Sequence, residues 1–149
     1  MDRFSANGQI TAVTATPGDT ALGIIASTLV RAKIHFFTVA AGGTPVADNV
    51  LQWLVRRFTA AGTSTAYTPV QLDLGSPVSQ LTVGTNHTVE PTYTGILFNL
   101  QVHQRSLYQW NAAPAGEILI PAVAASGIGF TPIHASYVST ANANAHWQE

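Results

Sequence analysis

Residues 96–104, Ile-Leu-Phe-Asn-Leu-Gln-Val-His-Gln, alternate regularly between two faces. One face is apolar and consists of Ile96, Phe98, Leu100 and Val102. The other face is more polar and consists of Leu97, Asn99, Gln101 and His103. A period of two with one apolar face predicts a strand in a half-buried antiparallel sheet.

The rest of the chain repeats strand-like segments between turn signals. Thr, Val, Ile and aromatic residues dominate the periodic segments, while Gly, Pro, Asn and Ser cluster between them, as expected for strands and turns. We predict further strands at residues 9–15, 34–39, 50–59, 67–74, 107–111, 117–120, 127–139 and 143–147. Helical turns are expected to be short and confined to residues 44–48 and 21–25.

This pattern predicts one all-β domain over residues 1–149, since there is no internal repeat and no linker. Many short strands with regular turns favour a single-domain antiparallel β-sandwich of jelly-roll type. Within it, residues 1–15 are expected to form either an extended N-terminal arm or an edge strand.

The composition excludes several classes of function. The 149 residues carry a net charge of -1, which is a poor match for nucleic acid. There is no cysteine, so thiol chemistry and cysteine-based metal sites are excluded. Residues 21–30 form the longest apolar stretch, which is about half the length of a membrane helix, so no membrane partner is expected. No apolar signal core is seen at the start of the sequence.

The low charge itself suggests self-association. Only 9% of the residues are charged, against about 25% in ordinary soluble domains. Strand edges without charges pair readily with other edges. We therefore expect a homo-oligomer, for which a trimer is our working hypothesis, or a chain docked on a larger body.

The residues that usually carry catalysis form no local motif. The five histidines show no tight metal-ligand spacing, and no nucleophile elbow or phosphate-binding loop is present. We expect no enzyme activity, no cofactor and no metal. The alternative is an enzyme of cupin-like or glycosidase type, assembled from residues distant in sequence.

Aromatic and basic residues offer candidates for an interface. Residues 50–59 are apolar on both faces, so the second face is expected to meet something, for example another subunit. Arg56 and Arg57 point to opposite faces of this strand and suit an intersubunit or intersheet ion pair. The candidate interface residues are Trp53, Arg56, Arg57, Tyr108, Trp110 and Trp147.

A sugar-binding platform is a second use for the same rings. Tyr108 and Trp110 lie two residues apart and would share one strand face. Together with Tyr93 they suit a carbohydrate- or receptor-binding module.

Several segments resemble a family of small virion proteins of tailed bacteriophages, the capsid decoration or cement proteins. The likeness covers roughly residue 34 to the C-terminus, and the N-terminal residues up to about Arg31 depart from it. The segments are Val46–Asn49 with Trp53, Arg57–Thr63, Asn86–Tyr93, Gln104-Arg105 with Trp110, Gly116-Glu117, and Ile120–Ala122 followed by Gly127–Gly129.

The resemblance implies a viral structural protein rather than an enzyme. Such proteins are jelly-roll-like, commonly trimeric, and bind the outer surface of the phage head where capsomers meet. The implied partners are further copies of the chain and the major capsid protein of the same virion. No catalytic residue is implied.

Overall fold

The computed structural model describes residues 1–10, 19–42, 50–134 and 140–149, and these form two antiparallel sheets packed face to face. Sheet I contains β1 (Arg3–Ile10), β3 (Ala32–Gly42), β6 (Val70–Gln71), β9 (Leu107–Asn111), β10 (Ile118–Ile120) and β12 (Thr140–Gln148). Sheet II contains β2 (Leu22–Ile25), β4 (Val50–Ala60), β5 (Thr63–Tyr67), β7 (Thr82–Val89), β8 (Thr92–His103) and β11 (Gly127–Ile133).

Eight of these strands have the order of a jelly roll, so the predicted β-sandwich is confirmed. Sheet I runs β9-β3-β12-β1 and sheet II runs β2-β11-β4-β8, which is the double Greek key of that fold. The first and last strands are neighbours, paired from Arg3 opposite Gln148 to Ile10 opposite Ala141. The remaining strands are additions: β6 extends β1, β10 shares an edge of β3 with β9, and β7 and β5 extend β2.

The core lies between the sheets and combines small residues on one strand with large rings on others. Every second residue of β12 is buried, and three of these four residues are alanines, followed by Trp147. Phe37 of β3, which lies opposite Ala145, is also buried and meets Phe130 edge to face at 5.4 Å. Burial of each such ring stabilises the fold by about 1.5–3 kcal/mol.

The second apolar face of β4 is covered by the chain itself at Leu54 and Phe58, so no other subunit is needed to bury these two residues, whereas Val50 on the same face is 45% exposed. Phe58 is buried on the outer face of sheet II, where its ring lies over Gly127. A Cβ on Gly127 would lie 2.5 Å from the Phe58 ring, so glycine is needed at this position. Tyr93 of β8 packs against the same ring at 6.1 Å.

The predicted apolar face of β8 is correct only in its second half. Phe98 pairs with Val55 and faces the core. A bulge between Ile96 and Phe98 shifts the register, so that Ile96 pairs with Arg56. The extra residue, Leu97, moves Ile96 to the outer face, where 58% of it is exposed. The prediction of a buried Ile96 was therefore wrong.

Other predicted elements differ at the edges. Residues 22–25 form β2 rather than a helical turn, and within residues 67–74 only Val70–Gln71 extend a strand beyond Tyr67. Residues 3–10 form β1, which pairs along its length with β12, so this part is not a free arm. Its other side meets β6 only at Phe4 and Ser5. The predictions for residues 11–15, 44–48 and 135–139 lie outside the described residues.

Candidate functional site

Two of the predicted interface residues lie in the core. Trp53 and Trp147 have no exposed surface, because their strand positions face inward between the sheets. Trp147 packs against Phe4, with ring centroids 6.0 Å apart. Their assignment to an interface was therefore wrong.

Tyr108 and Trp110 also face inward, although each is partly exposed. Trp110 stacks on Phe37 at 5.1 Å, and Tyr108 lies 6.2 Å from the same ring. Their faces are therefore occupied by protein, and they do not form an open sugar-stacking platform.

The two arginines have different environments, and neither forms an ion pair with a described residue. Arg57 donates a 2.9 Å hydrogen bond to the carbonyl oxygen of Leu119 in β10, so it links the two sheets. Arg56 lies on the outer face of sheet II and donates a 2.9 Å hydrogen bond to Thr131. The intersheet link is thus present, but its acceptor is a neutral carbonyl.

Arg56 belongs to a polar cluster that joins four segments of sheet II; we call Thr20, Arg56, Glu90, Tyr93 and Thr131 the Arg56 cluster. The Tyr93 hydroxyl meets the hydroxyls of Thr20 and Thr131, the latter at 3.2 Å. The Glu90 carboxylate accepts the Thr20 backbone N–H at 3.1 Å and also its hydroxyl. Burial raises the pKa of Tyr93, so its hydroxyl stays protonated.

His87 lies beside this cluster and is half-buried. Its Nδ1 is 3.2 Å from the Thr20 carbonyl oxygen, while its buried Nε2 has no hydrogen-bond partner among the residues that the structure describes. The imidazole packs over Gly23 and Gly84, where side chains would crowd it. Burial lowers the pKa of His87, although the nearby Glu90 opposes this.

The chemistry of the cluster is that of a cross-link. The Glu90 carboxylate and the Tyr93 hydroxyl are engaged by neighbouring donors and acceptors, which suits holding strands together. Among the described residues, no group of three or more His, Cys, Asp or Glu side chains could hold a metal ion.

β8 forms one edge of sheet II, and most of its residues are exposed. β8 is 12 residues long, lies at the end of the strand order, and carries no Lys, Arg, Asp or Glu. Ile96 and Leu97 add exposed apolar surface there. An uncharged edge of this length is a template for pairing with another chain.

A second exposed feature follows β6. Residues 72–80, which we call the Leu74 loop, present Leu72, Leu74 and Val78 to solvent, and Leu74 is fully exposed. Gly75, with φ of 88°, makes the turn beside it, and the Ser76 N–H donates to the Asp73 carbonyl at 3.2 Å.

Charged side chains hold the Leu74 loop in place at both ends. Arg3 binds the Asp73 carboxylate through two hydrogen bonds of 2.9 and 2.5 Å, which lowers the pKa of Asp73. Glu149 accepts hydrogen bonds from the hydroxyl of Ser79 at 2.5 Å and the N–H of Gln80 at 2.8 Å. Two of the few acidic residues in the chain, Asp73 and Glu149, therefore order a loop in which Leu74 is exposed.

The sequence analysis predicted neither the Arg56 cluster nor the Leu74 loop. The only local signal for the Arg56 cluster is Glu90 with Tyr93 three residues later, since its other members are distant in sequence. The Leu74 loop contains the turn residues Gly75, Ser76 and Pro77, but Leu72 and Leu74 before them were interpreted as the end of a strand over residues 67–74.

Comparison of the chain with protein-family models, with curated proteins and with solved structures gives no match. No helix capable of crossing a membrane occurs in the described ranges. The class of the molecule rests on its own fold and surface: it is an all-β jelly-roll domain with an uncharged edge strand, β8, and an ordered loop that exposes Leu74.

Proposed function

We propose that the chain is a viral structural protein, a capsid decoration protein that binds the outer surface of a phage head. It acts as a symmetric homo-oligomer, a trimer, and stabilises the shell at capsomer junctions. The observation that carries the proposal is the Leu74 loop, in which fully exposed leucine is held in an ordered turn by Arg3, Asp73 and Glu149. The resemblance of residues 34–149 to cement proteins supplies the identity of the larger body.

The energetics of the Leu74 loop favour a docking role. Ordering a residue costs about 1–2 kcal/mol, and Leu74 regains none of this by burial within its own chain. Transfer of one leucine side chain from water to an apolar pocket contributes about 1.5–3 kcal/mol. Because the loop is already ordered in the free chain, binding carries no further entropy cost of ordering it. More of the free energy gained by burying Leu74 therefore contributes to affinity.

The β8 edge supports the oligomer. Strand pairing along its uncharged edge covers Ile96 and Leu97 and satisfies backbone groups that sheet II leaves open. A head-to-tail contact that closes on itself gives a ring of copies rather than a fibre. Several Leu74 loops on one ring then bind the shell together, and their combined affinity exceeds that of one loop.

This contact adds buried area that must be lost before the shell can open. Because the contact is apolar, salt screens it weakly, and we expect attachment to heads to persist at about 1 M salt. Release at high salt with recovery on dilution would contradict an apolar contact.

Binding to heads of the encoding phage, prepared without this chain, tests the proposal. We expect co-sedimentation of the wild-type chain with the heads and loss of this binding in Leu74→Asp. Leu29→Asp places the same charge at an exposed leucine of another loop and should bind normally. Absence of wild-type binding, or equal binding by both variants, would overturn the proposal, and a density map of decorated heads would locate the contact.

A further inference from the structure

The outer face of sheet I carries a grid of uncharged amides. Asn7 and Gln9 of β1 lie opposite Asn144 and Asn142 of β12. In the next strand, Thr38 of β3 lies opposite Asn144, and beyond it Gln109 of β9 lies opposite Thr38. We call Asn7, Gln9, Thr38, Gln109, Asn142 and Asn144 the amide face.

A concavity of about 580 Å³ is formed over most of this face. One wall comes from the other sheet, where Thr85 and Asn86 of β7 line it. Asn86 has φ of 48°, a left-handed conformation that asparagine tolerates better than most residues. Gly8 allows β1 to lie close to sheet II, because a Cβ there would be 2.0 Å from the Ala21 carbonyl oxygen.

The hydrogen-bonding groups of the amide face are largely unused. Ser5 donates a 3.4 Å hydrogen bond to the Asn144 oxygen, whereas the side chains of Asn7, Gln9 and Asn142 make none within the described part of the chain. Each amide offers two donors and an acceptor. None of the described residues that line the concavity is charged.

This lining discriminates between classes of ligand. An anion would need Arg or Lys, and a cation would need carboxylates, and the lining residues that the structure describes include neither. An apolar ligand would bury amides without partners, which is costly. A sugar hydroxyl both donates and accepts, so a neutral, hydroxyl-rich ligand matches the amides, and the volume lies in the usual range for ligand sites.

An aromatic pair lies one row along the same face. Phe36 and His146 pair across β3 and β12, with ring centroids 4.6 Å apart, and both are half-buried. Burial and the neighbouring His35 lower the pKa of His146, which keeps the pair neutral near pH 7. Such rings suit the C–H face of a sugar next to the amides that bind its hydroxyls.

We propose that the amide face, with Phe36 and His146 at its end, is a binding site for a neutral glycan. This site is separate from the Leu74 loop and the β8 edge, so it stands independently of the decoration role. It also differs from the platform of Tyr108 and Trp110, whose rings are occupied by Phe37.

A glycan array probed with the full-length chain, followed by calorimetry on a hit, tests the site. The site variant is Gln9→Ala with Asn142→Ala, a pair that lies directly opposite across two strands. The control is Lys33→Ala with Leu119→Ala, an exposed cross-strand pair on β3 and β10 of the same sheet that is not part of the concavity's described lining. We expect the site variant to weaken binding about tenfold, as loss of two hydrogen bonds implies, and the control to bind like wild type.

Three results would overturn the inference. They are a wild-type chain that binds no glycan on the array, glycan binding that survives in the site variant, and a site variant whose oligomer mass changes. The last result would make the amide face a contact between copies. None of them bears on Leu74→Asp, so failure of the glycan site and failure of the decoration role are distinguishable.

Discussion

The guanidinium carbon of Arg56 lies 3.5 Å from the centroid of the Tyr93 ring. This places a cation flat on an aromatic face, while the same arginine donates to Thr131 and the tyrosine hydroxyl meets Thr20. The two residues therefore join β4, β8 and β11 on the outer face of sheet II. Because partial burial removes competing water, the stack is expected to contribute more than an exposed pair.

A double-mutant cycle on this pair should reveal its coupling. We expect Arg56→Gln and Tyr93→Leu each to lower the free energy of unfolding, and the double variant to lose less than the sum by about 0.5–2 kcal/mol. Urea denaturation of the four proteins measures this. Strict additivity would show that the stack contributes nothing.

The space above Gly129 is reserved for the Tyr93 ring. A Cβ at Gly129 would lie 2.5 Å from the Tyr93 hydroxyl oxygen, so Gly129→Ala must displace the ring from the Arg56 cluster. We expect Gly129→Ala to lower the free energy of unfolding by about 1–3 kcal/mol, which is the usual cost of overpacking a well-packed site. Gly95→Ala is the matched control, because nothing lies within 4 Å of its Cβ position. Equal melting temperatures for the two variants would contradict the packing described.

The folded state should weaken on mild acidification. Burial lowers the pKa values of His87 and His146 below their ordinary 6.5. As the pH falls below 6.5, the unfolded chain takes up protons that the folded chain resists, so the free energy of unfolding decreases. Above pH 6.5 both histidines are largely neutral in the folded and the unfolded chain, so they no longer lower the free energy of unfolding.

Urea titrations between about pH 7.5 and 5.5 measure this dependence over the window in which histidine titrates. The double variant His87→Asn with His146→Asn should show a flatter dependence on pH. An unchanged slope would assign the effect to other groups.

Self-association should depend on the β8 edge. Ile96→Lys places a charge on the exposed edge, as natural edge strands do to prevent pairing, and we expect it to give monomers. Because Ile96 is largely exposed, the free energy of unfolding of the monomer should change by only about 0.5 kcal/mol. Light scattering after size exclusion, at micromolar concentration, measures the mass.

Leu119→Lys, on an exposed position of β10 in sheet I, is the control and should remain oligomeric. A wild-type chain that is monomeric at micromolar concentration would contradict the homo-oligomer itself.

The fold class was predictable because alternation survives in most strands. In β12 the small buried alanines alternate with amides on the outer face, and the strand predicted at residues 143–147 lies within it. In β8 the alternation gave the wrong face for Ile96, because the bulge at Leu97 places the residues before it on the opposite face of the sheet. No hydrophobic pattern in the sequence indicates this bulge. β1 was underestimated because two of its inward residues, Ala6 and Gly8, are small and give a weak apolar signal.

The candidate sites were less predictable, because they depend on strand register. Glu90 meets Thr20 across 70 positions of sequence, and the amide face joins β1 to β12 across the whole chain. Which of two arginines lies over a tyrosine also depends on the bulges between β4 and β8. Such contacts follow from the jelly-roll order only after every register shift is known.

The pairing of β1 with β12 has a practical consequence for engineering. The N–H of Glu149 donates to the carbonyl oxygen of Asp2 at 3.0 Å, so the two tails exit from one corner of the domain. A short peptide joining them should permit circular permutation, with new openings cut in surface turns. Reporters or antigens fused at either tail would be displayed at the same place.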